Sequence, residues 1–199
     1  RGVRGMEKFL NTRLVDPAER GRPVALSLDT RVQAALESEL ANAMAVFQAR
    51  GAGGIVLDSD TGEVIAMTSL PTFNPNHVTA NTGQMNTVTQ GVYELGSAFK
   101  PLTMAAALDD GVVPSLSKRY DATEPLRVAG FRIRDDHAQK RWMNVPEILV
   151  HSSNIGTARI ADEMGQARME KLFRSLHFDA APDLEVEKSR PIWPHYWGR

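Results

Sequence analysis

The sequence predicts an α+β fold, an antiparallel sheet flanked by helices, and three observations carry that prediction. Two apolar runs, 55–57 and 64–67, face each other across the Gly-ended polar turn Asp58-Ser59-Asp60-Thr61-Gly62, as the arms of an antiparallel hairpin do. Residues 31–50 repeat apolar side chains at helical spacing. Helical and strand-like segments are intermixed, with the hairpin near the start, which argues against a doubly wound parallel sheet.

Taken in order, residues 1–22 are rich in Arg and Gly and read as a connector, apart from a short apolar-spaced piece at 6–14. The remainder, 23–199, reads as one domain, the default at this length. Residues 24–28 alternate apolar and small side chains as a strand would. Asp29-Thr30 is a helix-start signal, with Gln33 three residues after Thr30 in capping-box spacing. The helix expected over 31–50 shows Val32, Leu36, Leu40, Met44 and Phe47 at helical intervals, and Gly51 supplies a stop. After the hairpin, the polar stretch 71–91 reads as a long loop. A second helix is expected over 97–108, closing at Asp109-Asp110-Gly111. A third begins after Asn144 as cap with Pro146 in its first turn, and a fourth covers 155–164.

Composition narrows the function. Lys plus Arg number 23 against Asp plus Glu 24, a formal net charge of -1, and no basic stripe is present, which argues against nucleic acid. No uninterrupted apolar stretch is longer than 104–108, far short of the roughly 20 residues a bilayer span needs. With no cysteine in the chain, disulfides, thiolate metal sites and a cysteine nucleophile are excluded. The chain opens at Arg1 without a signal-peptide pattern, so the expectation is an excerpt whose natural beginning, with any export signal or anchor, lies outside it.

Ser97-Ala98-Phe99-Lys100 places a serine and a lysine three residues apart, on one face of a helix. Serine is a poor nucleophile unless a base takes its proton, and lysine serves as that base only when desolvation or nearby positive potential lowers its pKa. Pro101 places the pair at a helix start, where a missing N–H costs little. Taken alone, the pair reads better as an N-cap serine and a solvated lysine than as a site, and Ser115-Leu116-Ser117-Lys118 repeats the spacing in a turn-like segment without an apolar helix behind it. The second feature is Ser152-Ser153-Asn154. In an extended turn the side chains of Ser152 and Asn154 would point into one cleft. A second hydroxyl there can relay protons, and an amide can hold both a lysine and a substrate amide.

The runs 91–103, centred on Gly96-Ser97-Ala98-Phe99-Lys100-Pro101, and 145–157, centred on His151-Ser152-Ser153-Asn154-Ile155-Gly156, closely resemble class B penicillin-binding proteins. The resemblance extends over about 23–165, and its details look most like the division-specific (septal) enzyme, with the elongation-specific relative as nearest competitor. It implies a penicillin-binding protein/serine β-lactamase-like transpeptidase domain, incomplete at the C-terminus, working as a peptidoglycan D,D-transpeptidase by an acyl-serine mechanism and without a cofactor. Carried over, Ser97 is the acylated nucleophile, Lys100 its base, Ser152 the proton relay, and Asn154 the group that binds substrate amide and Lys100. The Ser97 N–H forms half of the oxyanion hole. The implied partners are the D-alanyl-D-alanine stem peptide, β-lactams that acylate the same serine, and division proteins. The implied location is the periplasm, with membrane attachment only through an anchor outside this chain. The alternatives are a β-lactam sensor or β-lactamase-like relative, and a non-catalytic divisome scaffold.

Departures from the family are Leu95 for a common proline, Ala98 for a common threonine, and the absence of any K-[ST]-G. Lys188-Ser189-Arg190 is the nearest approach, with Arg in place of Gly, and Lys188 reads as a solvated lysine. The family strand that carries K-[ST]-G supplies a second oxyanion donor and a carboxylate-binding cation, so the polypeptide as written is expected to be a poor enzyme. His77, His137, His151, His177 and His195 lack metal-ligand spacing, Asp135-Asp136-His137 reads as a charged turn, and Trp193, Tyr196 and Trp197 read as core or interface aromatics.

Overall fold

The computed structural model describes residues 2, 4–74, 76–77, 85–128 and 130–193. The chain divides into two units, one formed by Arg1–Val92 with Ala181–Arg190 and the other by Tyr93–Ala180 with Pro191–Arg199.

In the first unit, the segment read as a connector forms two short helices, α1 (Gly5–Phe9) and α2 (Asn11–Val15), and a 3₁₀ turn at Pro17–Glu19. Glu187 holds α1 in place, accepting from Lys8 Nζ at 2.9 Å and from the Gly5 N–H at 3.3 Å. Residues 24–28 form no strand. Among the described residues, Ser27 Oγ, donating to the Val64 carbonyl at 2.7 Å, and the N–H of the following Asp29, donating to the Ile65 carbonyl at 2.9 Å, tie this stretch to the hairpin, too few bonds for a ladder.

Helix α3 (Thr30–Phe47) starts at Asp29, whose carboxylate accepts the Arg31 N–H at 2.8 Å. The expected capping box does not form. Gln33 Nε2 donates instead to the Met67 carbonyl and Thr68 Oγ1, and Gln33 Oε1 accepts the Met67 N–H. Tertiary partners outcompete the local cap, because a strand's backbone groups next to a half-buried face must be satisfied. The helix ends three residues early, where Gln48 adopts a left-handed φ of 52°. Strands β1 (Ala52–Leu57) and β2 (Val64–Leu70) form the expected antiparallel hairpin, with Ile55 opposite Met67. The turn between them is tied by Asp58, which accepts the N–H groups of Asp60 and Thr61. Gly54 lets α3 lie close on β1, since a Cβ there would sit 3.0 and 3.1 Å from Leu36 and Leu40. A short helix, α4 (Thr87–Gln90), follows within the expected loop; residues 75 and 78–84 lie outside the described residues.

The second unit opens with a 3₁₀ turn, Gly96–Phe99, that leads into α5 (Lys100–Asp109). The expected start of an α-helix at Ser97 is therefore corrected. Pro101 has no N–H to return to the Ser97 carbonyl, and the Lys100 N–H bonds it instead, so the α-helix begins afresh at Lys100. Strand β3 (Arg119–Asp121) pairs with a later strand. Between them, β4 (Leu126–Val128) and β5 (Phe131–Ile133) pair with each other, and β6 (Trp142–Asn144) is the partner of β3.

Asn144 then caps α6 (Val145–Val150) in a full capping box, accepting the Glu147 N–H while Glu147 accepts its own, both at 2.9 Å. Helix α7 (Asn154–Ser175) begins where expected but runs further, resuming after a break at Gly165, whose φ of 74° only glycine adopts freely. The core of this unit joins Met104 and Ala107 of α5, Met143, Val145 and Ile148, and Ile155, Ile160 and Met164 of α7. Pairs of antiparallel strands with helices make an α+β fold, as the pattern predicted.

Candidate active site

All four candidate residues lie in the second unit. Ser97 is exposed on the 3₁₀ turn, held from behind by Phe99, whose ring packs 5.3 Å from Phe173 and 5.6 Å from Phe178. Lys100, at the first position of α5, is 8% exposed, which is rare for an unpaired lysine. Its partners are polar but uncharged. Nζ donates to the Ser152 carbonyl at 2.5 Å and to Ser152 Oγ at 2.9 Å. Ser152 Oγ in turn donates to Ser97 Oγ at 2.9 Å. Burial pushes the Lys100 ammonium below its ordinary 10.5, and the carboxylates of Asp135 and Asp136 partly oppose that shift.

The structure thus brings Ser97, Lys100 and Ser152 together. It differs from expectation in the route, for the recorded link from lysine to Ser97 runs through Ser152. It also differs in backbone. Ser152 is not extended; its φ of 49° is left-handed, which turns both its carbonyl and its hydroxyl onto Lys100. Asn154, the first residue of α7, is half-buried, and its Nδ2 donates to the Arg134 carbonyl at 2.8 Å. Among the described residues no bond from Asn154 to Lys100 is recorded.

Asp135, by sequence part of a charged turn, holds the turn Ser152-Ser153-Asn154. Its Oδ2 accepts from Ser153 Oγ at 2.8 Å and its Oδ1 accepts the Ile155 N–H at 2.9 Å. An aspartate just past a short strand gives no local signal of this role, because its partners lie 18 and 20 residues away. The second Ser-x-x-Lys spacing (SxxK), Ser115 to Lys118, behaves differently. Lys118 donates to Glu163 and the Val112 carbonyl, and hydrogen bonding to Glu163 holds its ammonium above the ordinary lysine value. Ser115 Oγ pairs with Ser117 Oγ. The same spacing therefore yields a charged ion pair at one site and a buried, weakened ammonium at the other.

Lys188 is exposed, its Nζ donating to the Leu184 carbonyl. Trp193 packs edge-on to Phe173 at 6.4 Å under the Arg174 guanidinium. Tyr196, Trp197 and His195 lie outside the described residues. Among the described residues there is no helix long and apolar enough to cross a membrane, and no group of three His, Asp or Glu able to hold a metal.

A family model, "Penicillin binding protein transpeptidase domain", matches residues 52–197, and the chain belongs to that family. Among its relatives is the "Probable peptidoglycan D,D-transpeptidase FtsI" of Caulobacter vibrioides, 39% identical over 99% of this chain and 34% of the relative. The "Peptidoglycan D,D-transpeptidase FtsI" of Escherichia coli is 33% identical over 84% of this chain and 28% of its own length. The chain thus spans about a third of the length of such relatives. A solved "TP domain from Burkholderia pseudomallei penicillin-binding protein 3" superposes with a TM-score of 0.73 at 26% identity, covering 89% of this chain and 49% of that one.

Proposed function

We propose that the chain carries the acylation machinery of a peptidoglycan D,D-transpeptidase of septal cell-wall synthesis, with 23–199 as part of that domain and 1–22 leading into it. The observation that supports it most is the continuous hydrogen-bonded path from Lys100 Nζ through Ser152 Oγ to Ser97 Oγ, ending on a buried amine. Hydroxyl hydrogens rotate, so a neutral Lys100 reverses the direction of the path. Lys100 then accepts the Ser152 proton while Ser152 accepts that of Ser97. The Ser97 oxygen attacks the carbonyl between two D-alanines, the tetrahedral oxyanion is held in part by the Ser97 N–H, and the C–N bond breaks. The relayed proton returns to the departing D-alanine amine. An amine from a neighbouring stem peptide then attacks the acyl-serine carbonyl, the new C–N bond forms as the C–Oγ bond breaks, and the amine's proton passes along the same path to restore the Ser97 hydroxyl. Asn154, beside Ser152 in sequence, is the proposed contact for the substrate amide. β-Lactams react at the same oxygen by opening their ring amide, leaving an acyl-serine.

The names of the relatives support the substrate class, and the FtsI relatives support a division role. The proposed location is accordingly the periplasmic face of the inner membrane. The test is labelling of the full-length protein with a fluorescent penicillin, followed by peptide mapping. Label on Ser97, absent from Ser97→Ala, is the expected result; label elsewhere, or undiminished in Ser97→Ala, refutes the assignment.

A further inference from the structure

Ser152 does its work from an unusual backbone position, and something has to hold it there. A serine with φ of 49° sits in a region that costs an ordinary residue roughly 1–2 kcal/mol, so the turn relaxes unless its neighbours fix it. Ser153, the next residue, is 1% exposed and caps α7 by accepting the Gly156 N–H at 2.9 Å. Its hydroxyl proton goes to Asp135 Oδ2, and the other Asp135 oxygen takes the Ile155 N–H. Next to it, the Arg134 carbonyl takes the Asn154 amide. Residues 134–135, just past β5, therefore clamp Ser153, Asn154 and Ile155 at three points, and Ser152 is the residue immediately before the clamp.

We propose that Asp135 is a positioning residue for this site: its carboxylate, bridging Ser153 and Ile155, holds the turn that presents the Ser152 hydroxyl and carbonyl to Lys100. The proposal rests on the functional reading above and adds to it a residue outside the Ser97, Lys100, Ser152 path. Removing the carboxylate leaves a buried Ser153 hydroxyl and a helix N–H without their acceptor, and the turn is free to swing Ser152 away from Lys100. Asparagine keeps the geometry, because its oxygen accepts the Ile155 N–H and its nitrogen donates to Ser153. Asparagine also removes a charge. The carboxylates acting on Lys100 are those of Asp135 and Asp136, and His151, exposed beside Ser152, is the other titratable group on the turn. With one carboxylate gone, the Lys100 ammonium is less favoured and loses its proton at lower pH.

The experiment measures second-order acylation by a fluorescent penicillin as a function of pH, in the full-length protein, for wild type, Asp135→Ala, Asp135→Asn and Ser97→Ala. Thermal melting gives the folded fraction of each. Asp135→Ala is expected to react about tenfold or more slowly per folded molecule, a misplacement effect. Asp135→Asn is expected to regain most of that rate, with the acid limb of its profile moved to lower pH. An Asp135→Ala protein that reacts at the wild-type rate per folded molecule overturns the proposal. So does an Asp135→Asn protein whose rate per folded molecule falls well below wild type, since asparagine keeps both hydrogen bonds, and this arm decides the matter if the alanine variant does not fold. Persistent labelling of Ser97→Ala would instead defeat the functional reading, whatever the Asp135 variants do.

Discussion

Gly156 lies in the first turn of α7, where alanine would ordinarily stabilise a helix by about 1 kcal/mol. Here the sign reverses. A Cβ on Gly156 would stand 2.6, 2.8 and 2.9 Å from three side-chain atoms of Ile148, and Ile148 is fully buried in α6. Three contacts inside 3 Å on a branched, enclosed side chain cannot be relieved by rotating one flexible tip. Overpacking of this kind costs about 1–3 kcal/mol, and three contacts inside 3 Å place it in the upper half, about 2–3 kcal/mol, so after the propensity gain Gly156→Ala should lose about 1–2 kcal/mol. The movement has a functional side too, since α6 and α7 enclose the turn that carries Ser152. Pushing them apart should slow penicillin acylation by about tenfold or more. Urea unfolding followed at constant m reads the stability loss as a lower midpoint. In an Ile148→Ala background, itself about 2–5 kcal/mol destabilised, all three clashing atoms are gone and Gly156→Ala should become neutral or stabilising. A single Gly156→Ala variant as stable as wild type, or the same loss in both backgrounds, would refute the reasoning.

Ser152→Ala should slow acylation by about 10² to 10⁴ with little change in melting temperature, because the exposed hydroxyl is the recorded link between lysine and Ser97; an unchanged rate would mean that Lys100 reaches Ser97 without it. Acylation should rise with pH as Lys100 loses its proton, with the midpoint below the 10.5 of free lysine because burial disfavours the ammonium, and Lys100→Gln should abolish that limb in a stopped-flow profile. Glu163, held below its ordinary value of 4.5 by hydrogen bonds from Lys118 and Tyr120, contributes stability that is present above the unfolded-state pKa and fades as pH falls through the folded one. Denaturation midpoints of Glu163→Gln and wild type should therefore differ at neutral pH and converge in strong acid. Asn144→Ala removes one arm of the α6 capping box and should lower stability by about 0.5–2 kcal/mol in the same urea assay.

Local physical chemistry was enough for the hairpin, the Asn144 cap and the start of α7. Each depends on residues within a few positions of one another, so period, cap chemistry and proline placement speak directly. The sequence by itself also supplied both motifs, and with them the family. What it could not settle was every choice in which a distant group competed with a near one. Gln33 bonded Met67 and Thr68 in place of Thr30, and Ser152 left the extended region that would have faced it alongside Asn154. Two SxxK copies were equivalent as text; burial next to an uncharged turn weakened one ammonium, while Glu163 strengthened the other. Asp135 stayed silent because a carboxylate reveals its role only once the fold brings it to the N–H and hydroxyl it accepts. Desolvation and long-range hydrogen bonds are properties of proximity in space, and only the tertiary structure decides which residues have it.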